Sequence, residues 1–176
     1  MRVTKCGAIT DWILVYRLAV ATSGLDMDSV KPTDKWKESI LFSEHSPIRA
    51  LQFVWTWEDL PYWVSVHFTR HKIGIEHFVS TQRTDRTGTQ RDKLTQDAPV
   101  KHTCIANAQA LINISRKRLC HKASRETRLA WEALRDAIKE IDPIMASVMV
   151  KDCTYRGRCC EMKPCGFFEK KLDVSE

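Results

Sequence analysis

The sequence has no apolar run long enough to cross a membrane, which takes about 18 or more residues. Its longest candidate, Trp12–Ala21, contains Tyr16 and Arg17. Residues 1–12 (MRVTKCGAITDW) also lack the uninterrupted apolar core of a secretory signal, because charged and turn-forming residues break it. We therefore predict a cytoplasmic protein with no membrane partner.

Internal repeats and low-complexity linkers are also missing from the 176 residues, a length suited to one domain with a real core. Hydrophobic residues make up 43% and charged residues 28%, which excludes a disordered chain. We predict a single α+β domain over residues 1–176. The net charge of +6 and the pI near 9.0 favour an anionic partner such as a nucleotide, a polynucleotide or a phosphorylated cofactor.

The paired Cys-x2-Cys spacing of common zinc sites is absent, although the chain has seven cysteines. Three lie in apolar surroundings typical of buried reduced thiols (Cys6, Cys104 and Cys120), and disulfides are not expected in the cytoplasm. The other four lie in a Cys-rich tail, residues 153–176 (Cys153, Cys159, Cys160 and Cys165). Four thiolates could bind zinc, but two of these cysteines are adjacent. Reduced thiols that pack the tail against the core are the alternative, and both interpretations stay open.

Hydrophobic periodicity predicts a mixture of strands and helices. Strands are predicted over residues 2–10, 48–57 and 73–82, and helices over residues 11–22, 35–43, 60–70, 101–120, 124–141 and 144–150. In the second strand Leu51, Phe53, Trp55 and Trp57 recur at period two. Asp59 is predicted to cap the helix that follows, and the polar residues 83–99 are predicted to form a surface loop.

One stretch concentrates anion-binding side chains around a short apolar strand. It begins with Arg70-His71-Lys72 and reaches Ser80 after seven residues, with Arg83 and Arg86 just beyond. Within the strand, Ile73, Ile75 and His77 are predicted on one face, and Phe78 and Ser80 on the other. The same pattern also suits an edge strand with a polar face, so its interpretation depends on a second motif downstream.

The predicted helix over residues 101–120 carries amide side chains among Ala, Leu and Ile. At about 100° per residue, Asn107 and Arg118 fall on one stripe, and Gln109 and Asn113 fall on roughly the opposite side. Buried amides need hydrogen-bond partners, so we favour a helix between two surfaces whose amides contact a polar ligand. A helix with a few satisfied core amides is the alternative.

Together these motifs resemble those of the flavin-dependent thymidylate synthases, whose signature is Arg-His-Arg, seven residues, then Ser. The family's later helix reads Asn-Ala-Arg-Ser-Leu, then Asn and an Arg. Here the corresponding residues are Asn107-Ala108-Gln109-Ala110-Leu111, Asn113 and Arg118. Glu44-His45-Ser46-Pro47 is similar to the family's His-x-Ser/Thr-Pro segment. The motifs occur in the same order across residues 43–141, and the Cys-rich tail resembles the tails of some members.

The departures from the family's pattern concern mainly the substrate side. Lys72 stands in place of an arginine and Phe78 in place of a carboxylate, and Gln82-Arg83 replaces the usual Arg-Tyr. Lysine keeps the charge but not the bidentate geometry of arginine. The segment between the motifs is shortened to residues 83–99. The candidates there for the family's phosphate-binding arginine are Arg83, Arg86 and Arg91.

The resemblance implies a small, mostly antiparallel sheet flanked by helices, and a homotetramer with FAD at its interfaces. It implies reductive methylation of dUMP, or of another pyrimidine nucleotide, at C5, with methylenetetrahydrofolate as carbon donor and NADPH as reductant. Arg118 is the implied catalytic residue. The implied cofactor contacts are Ser46, Arg70, His71, Lys72, Asn107, Gln109 and Asn113. The implied substrate contacts are His67, Arg70, Phe78, Ser80, Gln82, Arg83, Arg86, Arg91 and Arg118.

Two other functions stay open. A relative that leaves a hydroxymethyl group at C5 is motivated by Phe78 and by Gln82-Arg83. A basic nucleic-acid-binding module with a Cys-rich metal site would account for the pI, the tryptophans and the arginines. It would not account for the amide-bearing helix.

Overall fold

An antiparallel sheet of four strands forms the centre of the structure, a computed structural model that describes residues 1–24 and 31–168. The strands are β1 (Arg2–Ala8), β2 (Gln52–Pro61), β3 (Ile75–Val79) and β4 (Pro99–Asn107). Their order across the sheet is β1-β2-β4-β3, so β3 is an edge strand that pairs with β4. The predicted α+β class with a small antiparallel sheet is confirmed.

Helices flank this sheet. They are α1 (Trp12–Ala21), α2 (Asp34–Phe42), α3 (Tyr62–Phe68), α4 (Thr84–Thr87), α5 (Ala108–Arg118), α6 (Arg125–Lys139), α7 (Pro143–Val148) and α8 (Asp152–Arg156). The predicted helix starts at Asp11 and Ser124 are confirmed, because each of these side chains accepts a hydrogen bond from a first-turn N–H group. Among the described residues, no helix has both the length and the apolar composition of a membrane span.

The predicted alternation in β2 builds the core. Phe53, Trp55 and Trp57 are fully buried. The ring of Trp131 on α6 lies 6.3 Å from that of Trp55 and 5.9 Å from that of Trp57. The indole N–H of Trp57 donates to the carbonyl oxygen of Ala130 at 2.9 Å. Burial of these large aromatic side chains therefore fixes α6 against the sheet.

The helix predicted over residues 101–120 is wrong in its first half. Residues 99–107 form β4, which lies between β2 and β3 and pairs with both. Even-numbered residues from 100 to 106 are buried, which is the period-two pattern of a strand. Helix α5 begins only after Asn107, whose side-chain oxygen accepts the N–H of Ala110 at 2.9 Å. Asn107 therefore caps the helix, and it does not extend a stripe along it.

The predicted start and end of β2 also shift. Residues 46–50 form a 3-10 turn, so the strand begins at Gln52 and continues to Pro61. Asp59 lies inside the strand, where the register with β4 shifts and where its φ is 57°. It does not cap a helix as predicted, because sheet pairing with β4 continues through Pro61 and α3 starts one residue later.

The edge strand β3 is shorter than predicted. Ile73 precedes it and is 91% exposed, so the prediction that Ile73 shares a face with Ile75 and His77 is wrong. Ile75 is buried and His77 half-buried, while Phe78 and Ser80 are exposed. This alternation confirms the two predicted faces for the remaining residues of the strand.

Candidate functional site

Arg118 joins the two predicted motifs. It lies at the C-terminal end of α5, where the helix dipole favours a cation. Its Nε–H group donates to Nε2 of His71 at 2.8 Å, and Nη2 donates to the carbonyl oxygen of His67 at 2.7 Å. Nδ1 of His67 is hydrogen-bonded to Oγ1 of Thr127 at 3.1 Å. The structure thus brings together three residues that the sequence assigned to one site.

Burial and positive charge keep His71 neutral. Its pKa is lowered to about 4, first by burial and then by the nearby Arg118 and His77. Since an arginine side chain only donates hydrogen bonds, Nε2 of His71 must accept, and the ring proton is assigned to Nδ1. Burial and then the charge of Arg70 lower the pKa of Arg118. Positive charge is therefore concentrated in a partly dry region.

A chain of hydrogen bonds runs from the Ser65 hydroxyl to the backbone carbonyl oxygen of His71. Nε2 of His77 contacts the carbonyl oxygen of His71 at 2.8 Å, Nδ1 of His77 contacts Nε2 of His102 at 2.9 Å, and Nδ1 of His102 contacts the Ser65 hydroxyl at 3.0 Å. With neutral rings every group is satisfied: His77 donates to the carbonyl oxygen, His102 donates to His77, and Ser65 donates to His102. Burial first, and then His77, lower the pKa of His102 to about 4, which is consistent with a neutral ring.

Sequence reasoning missed His102 because it placed residue 102 in a helix. The alternation of residues 100–106 was the signal that could have found it. Cys104 lies beside this chain, with its Sγ 3.3 Å from Nδ1 of His77. The ligating atoms of His77, His102 and Cys104 lie within 4.8 Å of one another, but the hydrogen bonds already account for this proximity.

Gly74 lets the Arg70-His71-Lys72 turn approach the start of α5. Its φ is 73°, in the left-handed region, and its carbonyl oxygen accepts the N–H of Asn107 at 2.9 Å. A Cβ atom at Gly74 would lie 2.7 Å from Nδ2 and 2.8 Å from Oδ1 of Asn107. A side chain would therefore collide with the residue that caps α5. Asn107 is predicted as a cofactor contact, so Gly74 positions one such residue.

Glu44 belongs to a motif that the sequence identified, but its role was missed. Its carboxylate accepts a hydrogen bond from Nε2 of Gln109 at 2.5 Å and forms an ion pair with Arg116. Burial acts to raise the pKa of Glu44, but hydrogen bonds from Arg116, Gln109 and Tyr155 outweigh it, so the pKa lies below its ordinary value. A cavity of about 160 Å³ borders Glu44 and Arg116. Glu44 thus restrains Gln109, one of the predicted cofactor contacts.

The predicted substrate contacts on β3 lie on the outer face of the sheet. Phe78 is 57% exposed. Ser80 continues the pairing with β4: its N–H donates to the carbonyl oxygen of Lys101 at 2.8 Å, and its Oγ accepts the Lys101 N–H at 3.0 Å. The hydroxyl proton of Ser80 is still able to donate to a ligand. His77 lies on the opposite face of the strand, and among the described residues no hydrogen bond or ion pair links Phe78 or Ser80 to Arg118.

The candidate phosphate-binding arginines are exposed and lie in segment 83–99. This segment is not wholly a loop as predicted, because it contains α4, a 3-10 turn over Arg91–Lys93 and, at Pro99, the start of β4. Arg83 forms a two-pronged pair with Asp85, with distances of 3.0 and 2.7 Å, and Nε of Arg86 lies 3.9 Å from the same carboxylate. Arg91 is exposed and donates its backbone N–H to Oγ1 of Thr84 at 3.2 Å. Within the described ranges these contacts are local, and no hydrogen bond or ion pair links these arginines to Arg118. Gln82, just before this segment, is half-buried.

Four predicted cofactor contacts are exposed to solvent: Ser46, Arg70, Lys72 and Asn113. Two cations, a hydroxyl and an amide supply donors of the kind that bind the pyrophosphate and the ring carbonyls of FAD. Asn113 also accepts a hydrogen bond from Nη1 of Arg116 at 3.4 Å. The charge and donor set therefore fit an anionic, phosphate-bearing cofactor.

The Cys-rich tail packs against the end of α5, and its residues 169–176 lie outside the described residues. The guanidinium carbon of Arg116 lies 3.6 Å from the ring centroid of Tyr155 on α8. All seven cysteines are free thiols. Cys104 is buried as predicted, whereas Cys6 and Cys120 are half-buried.

The fold is a four-stranded antiparallel sheet flanked by helices. One of these helices, α5, is capped by Asn107 and ends at the half-buried Arg118. This arrangement is known from solved structures. The thymidylate synthase ThyX of Helicobacter pylori, solved with FAD and dUMP, shares it with a TM-score of 0.68 and 15% identity over 87% of this chain and 98% of that chain. A second structure of the same H. pylori protein with FAD and dUMP gives 0.68 and 15% over 87% and 99%. The UMP/dUMP methylase PolB of Streptomyces cacaoi, bound with 5-Br dUMP, gives 0.64 and 14% over 85% and 96%.

The chain therefore has the fold of the flavin-dependent thymidylate synthases, and the fold expected from the resemblance is confirmed. The sequence matches no protein-family model and no curated protein. At 14–15% identity the similarity establishes the fold, and the activity has to be argued from the site.

Proposed function

We propose that this protein is a flavin-dependent enzyme that modifies C5 of a pyrimidine nucleotide, with dUMP as the expected substrate. The expected reaction is reductive methylation to dTMP, with methylenetetrahydrofolate as carbon donor and NADPH as reductant. The structural relatives bind dUMP or its 5-bromo analogue, and two of them bind FAD, which supports this choice of ligands.

The observation that carries the proposal is the contact between Arg118 and His71. A neutral His71 ring and the His67 carbonyl oxygen fix the guanidinium through Nε and Nη2. Arginine has five N–H donors, so the guanidinium still has donors, including those on Nη1, for a ligand. Negative charge must develop on the uracil ring as C5 becomes nucleophilic. A fixed cation in a partly dry region stabilises that charge without reorganising.

The cofactor is proposed to bind at Ser46, Arg70, His71, Lys72, Asn107, Gln109 and Asn113. When bound, FAD would supply the hydride chemistry. Arg70 and Lys72 offer positive charge to its phosphates. His71 can offer its Nδ1–H, because Nε2 is committed to Arg118. Gln109 keeps its orientation through Glu44.

The substrate site is proposed to be completed by a second copy of the chain in a homotetramer. Phe78, Ser80 and the arginines of segment 83–99 are exposed, and among the described residues none of them has a hydrogen bond or ion pair with Arg118 of its own chain. The 91% exposure of Ile73 and the 57% exposure of Phe78 also favour burial against another subunit. Four chains of 20.4 kDa predict a mass of about 82 kDa by light scattering, and a monomeric mass would contradict this arrangement.

The visible spectrum of the purified protein, with and without added FAD, is the first test. A bound flavin and conversion of dUMP to dTMP with methylenetetrahydrofolate and NADPH would support the proposal. A colourless protein that takes up no FAD and shifts DNA in a gel would support the nucleic-acid-binding alternative.

Arg118→Ala tests the central residue. We expect flavin to stay bound while turnover falls by about 100-fold or more, since removing one fixed charge donor typically has that effect. Lys117→Ala, an exposed neighbour on the same helix, is the matched control and should keep full activity. Unchanged turnover in Arg118→Ala would remove Arg118 from the mechanism.

A second candidate reaction leaves a hydroxymethyl group at C5. The exposed Phe78, which stands where the family has a carboxylate, favours it, because the substrate side then lacks one acceptor. Mass spectrometry of the product formed from dUMP separates the two reactions by one oxygen atom.

A further inference from the structure

A small cavity lies between the end of α5 and the Cys-rich tail. It is lined by five of the seven cysteines and by a histidine: Cys120, His121, Cys153, Cys159, Cys160 and Cys165. Its volume is about 20 Å³, and roughly 10–15 Å³ is needed for a single water molecule. The cavity therefore suits one water molecule or one metal ion, and it is too small for an iron–sulfur cluster or an organic ligand.

We infer that Cys120, Cys153, Cys159 and Cys165 bind one zinc ion. Four thiolates around one ion are one of the usual ligand sets of a structural zinc site. Cys120 comes from the end of α5, so the sequence pattern of the tail by itself could not reveal the full set. This set uses one cysteine of the adjacent pair. Cys160 also borders the cavity but is exposed, and it is left outside the set.

The thiols must move slightly to bind. In the part of the chain that the structure describes, no three of these sulfur atoms lie within 4.8 Å of one another. In a tetrahedral site with Zn–S distances of about 2.3 Å, the sulfur atoms lie within about 4 Å of one another. Because all four cysteines border one cavity, we expect rotation of their side chains to bring the sulfur atoms together.

The charges around the cavity suit a ligand set of thiolates. Lys151 borders the cavity, and its Nζ lies 3.6 Å from the ring centroid of Phe167. Four thiolates bound to one divalent cation have a net negative charge, and the positive charge of Lys151 offsets part of it. Asp152 also borders the cavity, but Oδ1 of its carboxylate is 3.1 Å from Nε of Arg156. The Asp152 carboxylate is thus already paired. His121 and Glu161 also border the cavity, but the five thiols outnumber them.

The zinc ion would join sequence-distant parts of the candidate site. Cys120 lies two residues after Arg118, and Cys153 lies on α8, two residues before Tyr155. An ion between them fixes the C-terminal end of α5 against α8. The site is therefore structural, and its zinc ion takes no direct part in the nucleotide chemistry proposed above.

Metal analysis of the full-length protein, purified with a reductant and without added metal, tests the inference. We expect about one zinc per chain. Titration with a mercurial thiol reagent should release the zinc only as about four thiols react. Replacement by Co²⁺ should give the intense thiolate-to-cobalt absorption of a tetrahedral site. No zinc, together with no such absorption after Co²⁺ is supplied, would overturn the inference.

Single serine substitutions define the ligand set. Cys120→Ser, Cys153→Ser, Cys159→Ser and Cys165→Ser should each lower the zinc content at least about tenfold after dialysis against a chelator. The controls Cys160→Ser and Cys6→Ser, which change the adjacent thiol and one on β1, should keep about one zinc. Loss in Cys160→Ser with retention in Cys165→Ser would refute this set. If a ligand variant does not fold, the titration and Co²⁺ spectrum of the unmodified protein still decide.

Discussion

Replacing Gly74 by alanine should destabilise the protein and loosen the start of α5. Two costs add. The left-handed φ of 73° costs any residue with a Cβ atom about 1 kcal/mol. The new Cβ atom would also lie 2.7 Å from Nδ2 and 2.8 Å from Oδ1 of Asn107. The Asn107 side chain can escape only by giving up its hydrogen bond to the N–H of Ala110, and losing such a cap costs about 1 kcal/mol. We expect a total loss of about 2 kcal/mol.

Gly88→Ala is the matched control, because it separates the two costs. Gly88 has nearly the same conformation, with a φ of 71°, but a Cβ atom there meets nothing within 4 Å. It should therefore lose only the conformational cost of about 1 kcal/mol. Urea unfolding of both variants measures the difference in free energy of unfolding, and FAD titration should show weaker binding only for Gly74→Ala. Equal destabilisation of the two variants would refute the argument that Gly74 is required by its contact with Asn107.

Two further predictions concern charge. His71 and His102 have pKa values lowered to about 4, so between pH 6.5 and 4 the unfolded chain binds more protons than the folded one. The free energy of unfolding should therefore fall as the pH drops through this window, by about 3 kcal/mol for the fully buried His102 alone. Urea unfolding at pH 7, 6 and 5 checks this, and a flat profile would contradict it. Glu44→Gln should cost about 1–3 kcal/mol because it leaves Arg116 partly buried without its carboxylate. Glu58→Gln, which breaks an exposed pair, should cost clearly less. Equal losses in thermal melts would argue against the Glu44 network.

The sequence predicted the buried centre of β2 and the long helix α6 correctly, although not the ends of β2, because these patterns are local and strong. The period-two spacing of Trp55 and Trp57 indicates a buried strand. β4 was missed for a physical reason: its alternation is short and runs directly into the helical residues after Asn107. Pairing with β2 on one side and β3 on the other decides its conformation, and neither contact is visible in a local window.

The candidate site was predicted in outline, because the resemblance linked Arg70-His71-Lys72 to the residues of α5. The structure shows a hydrogen bond between Arg118 and His71. Among the described residues no hydrogen bond or ion pair links Arg118 to Ser80 or to the arginines beyond it. Glu44 escaped notice because its partners Gln109 and Arg116 lie more than 60 residues away, and a single carboxylate before a turn has no distinctive pattern.

Helix α5 carries or contacts most of the candidate site residues. Because it is short, its position depends on those contacts. It has 11 residues, fewer than the roughly 12–15 that a helix needs to be even marginally stable alone. Its position must therefore come from contacts along its sides and at its ends. Asn107 and Gly74 fix the start, Glu44 holds the side that bears Gln109 and Arg116, and Arg118 is fixed at the end by His67 and His71. Cys120, just beyond, would add the last restraint through zinc. Perturbing the tail should therefore disturb Arg118 more than Asn107, so loss of zinc should reduce turnover before it reduces flavin affinity.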